Sequence, residues 1–332
     1  MPQFNYQTTK LPNYQIESVR EFVRRAALFA LFALGLYGAL YVWSERLVYR
    51  YAHRNRFYQV KTASSSTYDY VILGASHAAV LDLGGMNRRL EEMTGSRILN
   101  LSIVGAGVSV NRLLLEYFLA AHQTAAIVYL VDSFAFYSRQ WNEERLNDSR
   151  LFLRAPFDAA LVKLLLNNSK TRARALDYIV GFSKINNGNR FVPDVADEEA
   201  RFDREYRPVQ QIDEQRIEYL YLEPLSRGNA DVERYLSEFE DLVRYAASRN
   251  VRVLVVKSPL PEKFYRMIPN EQQFDAALGR RLARQRVEFH DWSLVGNETG
   301  LFFDSDHLNR AGVENFFERF LSGIMRPAAP RR

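Results

Sequence analysis

The 332-residue chain contains no cysteine, which excludes structural disulfides and thiolate metal sites while leaving the compartment open. Histidine is scarce too, with five in the whole chain. There is no phosphate loop, no paired-histidine helix and no dinucleotide fingerprint, so neither a metal nor an organic cofactor is signalled. No internal repeat is evident. Charge of one sign is not concentrated anywhere: 44 basic residues stand against 39 acidic ones, a net charge of +5, and the two are interspersed. That pattern reads as a solvated surface and not as a nucleic-acid stripe. What is present is enough apolar material for a core, 47% hydrophobic against 25% charged. The length exceeds one typical domain but also fits a single α/β domain carrying an insertion.

The longest uncharged apolar run is Ala26 to Trp43, rich in Leu, Ala, Phe and Tyr. Its eighteen residues just reach what a helix needs to cross a bilayer's hydrocarbon core. Arg24 and Arg25 stand at one end, and Trp43, Arg46, Tyr49 and Arg50 at the other, as interfacial anchors do. No small-x-small cleavage site follows, which argues against a signal peptide. The chain therefore divides into a loosely ordered tail (1–25), a single transmembrane anchor (26–45), a stalk and linker (46–67) and a globular part. Basic residues flank the span on both sides, so charge alone does not orient it.

From Tyr68 onward strands alternate with helices. Apolar stretches at Tyr70–Leu73, Arg97–Ile103, Ala125–Val131 and Val251–Val256, and a short mixed one at Val287–Trp292, predict five strands. Asp231 to Arg249 predicts a helix with Val232, Tyr235, Leu236, Phe239, Leu242, Val243 and Ala246 on one face. Asn309 can cap a last helix running from Arg310 to about Phe320. This alternation implies an α/β fold, a flavodoxin-like three-layer sandwich with a five-stranded parallel sheet. The core domain spans 68–133 and 229–325. The intervening 134–228 lacks the alternation and reads as an inserted helical cap beside the catalytic end of the sheet.

The first strand breaks at Gly74 and delivers Ser76 and His77 just past its C-terminal end, where open parallel sheets place their ligand crevice. A serine there becomes a nucleophile when a base takes its proton and a third group fixes the tautomer of that base. Phe303-Asp-Ser-Asp-His307 supplies candidates at the far end of the chain: His307 as base, with Asp304 or Asp306 as its partner.

Gly74-Ala-Ser-His77 and Asp304-x-x-His307 resemble the first and last blocks of the SGNH (GDSL-like) hydrolases and acyltransferases. The resemblance covers about 68–133 and 250–320. It implies Ser76 as nucleophile, His307 as base and Asp304 as the group that orients the imidazole. The family's oxyanion hole uses the nucleophile's own amide, the amide of a glycine after the second strand and an asparagine after the third. Gly105, or alternatively Gly107, stands at the second position. The third holds Asp132-Ser133: an ionised Asp132 would repel an oxyanion, so Asp132 is expected to be protonated, to serve substrate binding, or to yield the donor role to Ser133. His77 is expected to contact substrate or serve structure, and Lys257, with Ser258 and Pro259, to line the crevice or form a plain turn. Asn100 is open between structural and functional roles.

A single N-terminal span before such a domain is similar to the membrane-anchored proteins of teichoic-acid D-alanylation and alginate-type O-acetylation. That branch implies an acyl, here acetyl, group transferred to or removed from a cell-envelope polysaccharide outside the cytoplasm, with a membrane-bound O-acyltransferase as partner. A non-catalytic envelope scaffold and a cytoplasm-facing lipase-like hydrolase are the alternatives.

Overall fold

The computed structural model describes residues 14–194, 196–221 and 225–325. Its centre is a five-stranded, wholly parallel sheet: β1 (Thr67–Leu73), β2 (Ile98–Asn100), β3 (Gln123–Leu130), β4 (Arg252–Lys257) and β5 (Glu288–Asp291). The order is β2-β1-β3-β4-β5, the flavodoxin-like arrangement, whose topological switch lies between β1 and β3.

Successive side chains point to opposite faces, so each strand feeds two cores. Val71, Leu73, Ile127, Tyr129, Val253 and Val255 pack beneath the helices Val108–Ala121, Leu225–Ser248 and Glu271–Arg284. Tyr70, Ile72, Val128, Leu130, Leu254 and Val256 pack against Met86–Thr94 and the C-terminal helix. This is the three-layer sandwich that the alternation predicts. All seven apolar residues of the 231–249 periodicity are buried. Asn309 caps the last helix by accepting from the Gly312 N–H at 2.9 Å. That helix runs Arg310–Phe316 and continues through a π turn, Phe317–Leu321. Between Phe134 and Tyr221 the described residues form helices and turns without a strand.

Two N-terminal expectations need correction. One helix runs unbroken over Tyr14–Tyr51, so residues 14–25, expected as loose tail, extend it. No proline or glycine interrupts that stretch, and Glu21 pairs with Arg25 one turn away. Within it Ser18–Tyr51 is long and apolar enough to cross a membrane. Residues 46–67, expected as a stalk, are instead packed on the domain. Val48, Ala52, Phe57 and Val60 are buried, and Asn55 caps a short helix, Arg56–Thr62, accepting from the Tyr58 N–H at 3.0 Å.

Candidate active site

β1 ends because only glycine fits its last turn. Gly74 has φ +148°, and a Cβ there would lie 2.7 Å from the Leu130 carbonyl oxygen and 2.8 Å from the Ala78 Cβ. Its N–H donates to Asn111 Oδ1 at 3.1 Å. The chain then turns into the short helix Ser76–Ala79, leaving Ser76 nearly buried at the sheet's C-terminal edge. Ser76 and His307 together line two adjoining cavities of about 660 and 360 Å³. The larger also takes Gly105 from the loop after β2, Asp304 from the C-terminal loop, and Trp141 and Arg216 from the insertion.

His307 is fixed by its Nδ1, which lies 2.9 and 3.0 Å from the two Asp304 oxygens and 3.2 Å from Asp306 Oδ1. The His307 N–H also donates to Asp304 Oδ1 at 2.8 Å, so one carboxylate holds both the loop and the ring. The opposite nitrogen, Nε2, is buried without a hydrogen-bond partner. Burial, the largest influence on this ring, favours its neutral form. The Asp306 and Asp304 carboxylates outweigh it and push the pKa up to about 9. Asp304 is the nearer partner of His307, whereas Asp306 is shared. Wholly buried, Asp306 accepts from Arg216 Nε at 3.1 Å and Nη2 at 2.9 Å and faces His77 Nε2 at 3.4 Å. Burial would raise the Asp306 carboxyl, but His307 and Arg216 hold it well below its ordinary value.

The other sequence-predicted residues are not gathered at this cavity. His77 points its Nδ1 at Asp132, and its ring lies 4.9 Å from that of His307, tilted by 44°. Burial works against its charged form, but Asp132 and then Asp306 push its pKa up to about 10. Asp132 is thus engaged by His77. Ser133 Oγ contacts the Tyr221 hydroxyl at 2.6 Å and donates to Glu271. Lys257 is buried in ion pairs with Glu271 and Asp275. His77, Asp132, Ser133 and Lys257 line a separate pocket of about 20 Å³ and none of them lines the Ser76 cavities. The structure therefore places Ser133, expected as donor, and His77, Asp132 and Lys257, expected as substrate contacts, apart from the Ser76 cavities, with His77 in the structural role that was its alternative. Ser258 lines that small pocket with them.

Gly105 does line the cavity, at φ +69°. Gly107 does not: its N–H donates to the Trp141 carbonyl at 2.7 Å, and a Cβ there would strike Asn142. Asn100 is structural, donating to the Ala78 carbonyl at 2.9 Å and accepting from the Ser102 N–H at 3.0 Å. Two residues escaped the sequence reading. Arg216 reaches Asp306 across the fold, which no local pattern signals. Gln140 lines the cavity from the insertion and carries an amide, the group missing after β3.

His77, Asp306 and His307 each bring one ligand atom within 4.8 Å of the others, a spacing that could hold a metal ion. Arg216, fixed on Asp306, sets a permanent cation against that carboxylate and disfavours a dication there.

No family model matches the chain, and no curated protein matches it. Solved structures similar to it include a candidate acylhydrolase from Bacteroides fragilis, 10% identical with a TM-score of 0.40, the match covering 82% of this chain and 97% of that one. Another is described as a candidate platelet activating factor from Streptococcus pneumoniae, 11% identical with a TM-score of 0.42, covering 89% of this chain and 99% of that one. Similarity this distant leaves the activity to be argued from the site itself.

Proposed function

We propose that the chain is a serine esterase or acyltransferase acting on O-acyl esters, with Ser76 as nucleophile, His307 as base and Asp304 as the group that positions His307. The observation that carries this reading is His307: its Nδ1 is held by Asp304 and its Nε2 is unpartnered, in a cavity shared with Ser76. Nε2 is thereby left free to take the Ser76 proton once the hydroxyl, which is not hydrogen-bonded to it in this structure, turns toward it.

In the first half-reaction Ser76 Oγ attacks the acyl carbonyl carbon while its proton passes to His307 Nε2. The resulting oxyanion meets the Gly105 amide, since the neighbouring Ala106 and Gly107 amides are already bonded to Ile103 and Trp141. Collapse breaks the ester bond and returns the proton from His307 to the leaving alcohol. The acyl-Ser76 is then attacked by water or by an acceptor hydroxyl, with His307 again taking and returning the proton. Because its pKa stands at about 9, His307 must first lose a proton to act as base.

The helix Ser18–Tyr51 supports a single-pass anchor. With it goes the finer reading: a domain outside the cytoplasm, an acetyl group on a cell-envelope polysaccharide, and a membrane-bound O-acyltransferase as partner. Engagement of Asp132 by His77 and of Ser133 by Glu271 favours one second reading, a weakly catalytic scaffold that binds polysaccharide in the same cavity.

The deciding experiment treats the detergent-purified full chain with a fluorophosphonate and with a simple acetyl ester, and reads intact mass. An adduct that requires both Ser76 and His307 is expected. No adduct on a folded protein supports the scaffold.

A further inference from the structure

The insertion keeps contact with the N-terminal helix from Glu45 back to Tyr37. Contacts along this helix change character from Glu45 toward Tyr37. Lys184 pairs with Glu45, whose other oxygen accepts from the Phe157 N–H at 3.0 Å. At the next level Trp43 packs on Phe191 with ring centroids 5.4 Å apart, and the Arg190 guanidinium lies over both rings. Trp with a basic residue is the composition of a membrane–water interface. Beyond it Tyr41 lies against Gly181, and the Tyr37 hydroxyl donates to the Val180 carbonyl at 3.0 Å.

Tyr37 lies six residues before Trp43 in the sequence, which is about 9 Å along the helix at 1.5 Å per residue. If Trp43 marks the interface, Val180 sits inside the hydrocarbon layer. The side chains around it suit that depth. Leu176 is 65% exposed and Phe182 61%, with Ile179 and Val180 also open. The charge between Leu176 and Phe182, Asp177, accepts from the Ser183 N–H at 3.1 Å. The helix Arg172–Val180 places its arginines, Arg172 and Arg174, at the other end.

We propose that the tip formed by Leu176, Ile179, Val180 and Phe182 is a second membrane contact, a foot inserted into the same leaflet that the anchor crosses. It rests on the anchor reading of Ser18–Tyr51. The occupant is lipid and not a protein partner, because the tip continues the surface that the anchor reading gives to lipid at Tyr37. Two contacts fix the height and tilt of the domain, so the Ser76 cavity works at one distance from the bilayer. A single swinging tether would not do this.

The absence of cysteine makes the test direct, since one introduced thiol can be spin-labelled without background. Full-length Leu176→Cys, Phe182→Cys, Phe29→Cys and Arg244→Cys are each labelled and reconstituted into phosphatidylethanolamine–phosphatidylglycerol vesicles. Collision with oxygen and with a water-soluble nickel chelate is then read. The foot requires labels at 176 and 182 to favour oxygen as the span label at 29 does, with 244 favouring nickel. If 29 is in lipid while 176 and 182 are in water, the foot is overturned and the anchor stands. If 29 is also in water, the anchor itself fails. Labels at 176 and 182 shielded from both quenchers would mean protein cover, which overturns the lipid assignment.

Discussion

The Arg216 guanidinium grips the Asp306 carboxylate with two nitrogens, Nε at 3.1 Å and Nη2 at 2.9 Å, and so ties the insertion to the loop that carries His307. Asp306 is wholly buried, so removal of its partner leaves a charge that water cannot reach. Arg216→Met is expected to lower stability by about 3 kcal/mol, the low end for a broken buried pair because Arg216 keeps some exposure. Arg216→Lys should restore only part of it, since an ammonium cannot reproduce the fork. Urea unfolding followed by circular dichroism measures both. Equal stability of all three forms would deny the tie.

Asp304 and Asp306 both face His307 Nδ1, yet their substitutions should separate. Asp304→Asn is expected to reduce kcat by roughly 10⁴-fold while the fold is retained, as loss of the orienting carboxylate does. Asp306→Asn should act chiefly on stability, because its carboxylate serves Arg216 and His77 as well. Steady-state kinetics on an acetyl ester beside a melting curve distinguishes them.

Activity should climb with pH. His307 holds its proton until about pH 9, so kcat/KM is expected to rise through neutral pH and level off near there. A profile already flat at pH 7 would mean that His307 is neutral in the free enzyme.

Stability should move the other way. An unfolded histidine has a pKa of about 6.5, whereas folded His307 and His77 stand at about 9 and about 10. Between those values the native state binds protons that the unfolded chain has released, so stability falls as pH rises. The contribution is full below about pH 6.5 and gone above about pH 10. Melting temperature measured from pH 6 to 10 should decline, and His77→Gln should flatten part of the slope.

Gly74→Ala is expected to abolish the folded site. A side chain at φ +148° and 2.7 Å from a backbone oxygen costs more than the 1–3 kcal/mol of backbone strain alone. The fluorophosphonate adduct should disappear together with cooperative unfolding.

What the sequence determined by itself was whatever repeats with a local period or ends at a special residue. The five strands, the buried face of the Leu225–Ser248 helix, the Gly74 turn and the Asn309 cap all follow from apolar alternation and backbone stereochemistry within a few residues. The Asp304–His307 contact was readable for the same reason, because three residues of one loop span it. His77–Asp132 needed the sheet order as well: β1 and β3 are neighbours, with Leu73 opposite Tyr129, which brings residues just past their ends together.

Only the tertiary structure decided where the remaining charges point. Ser133 and Lys257 stand at strand ends as expected, yet Glu271 from a distant helix draws both into a pocket of their own. Arg216 and Asp306 lie ninety residues apart, and Lys184 meets Glu45 across an even longer gap. A charged side chain at a strand end turns toward whichever opposite charge the packed helices bring within a few ångströms, and that choice carries no period in the sequence.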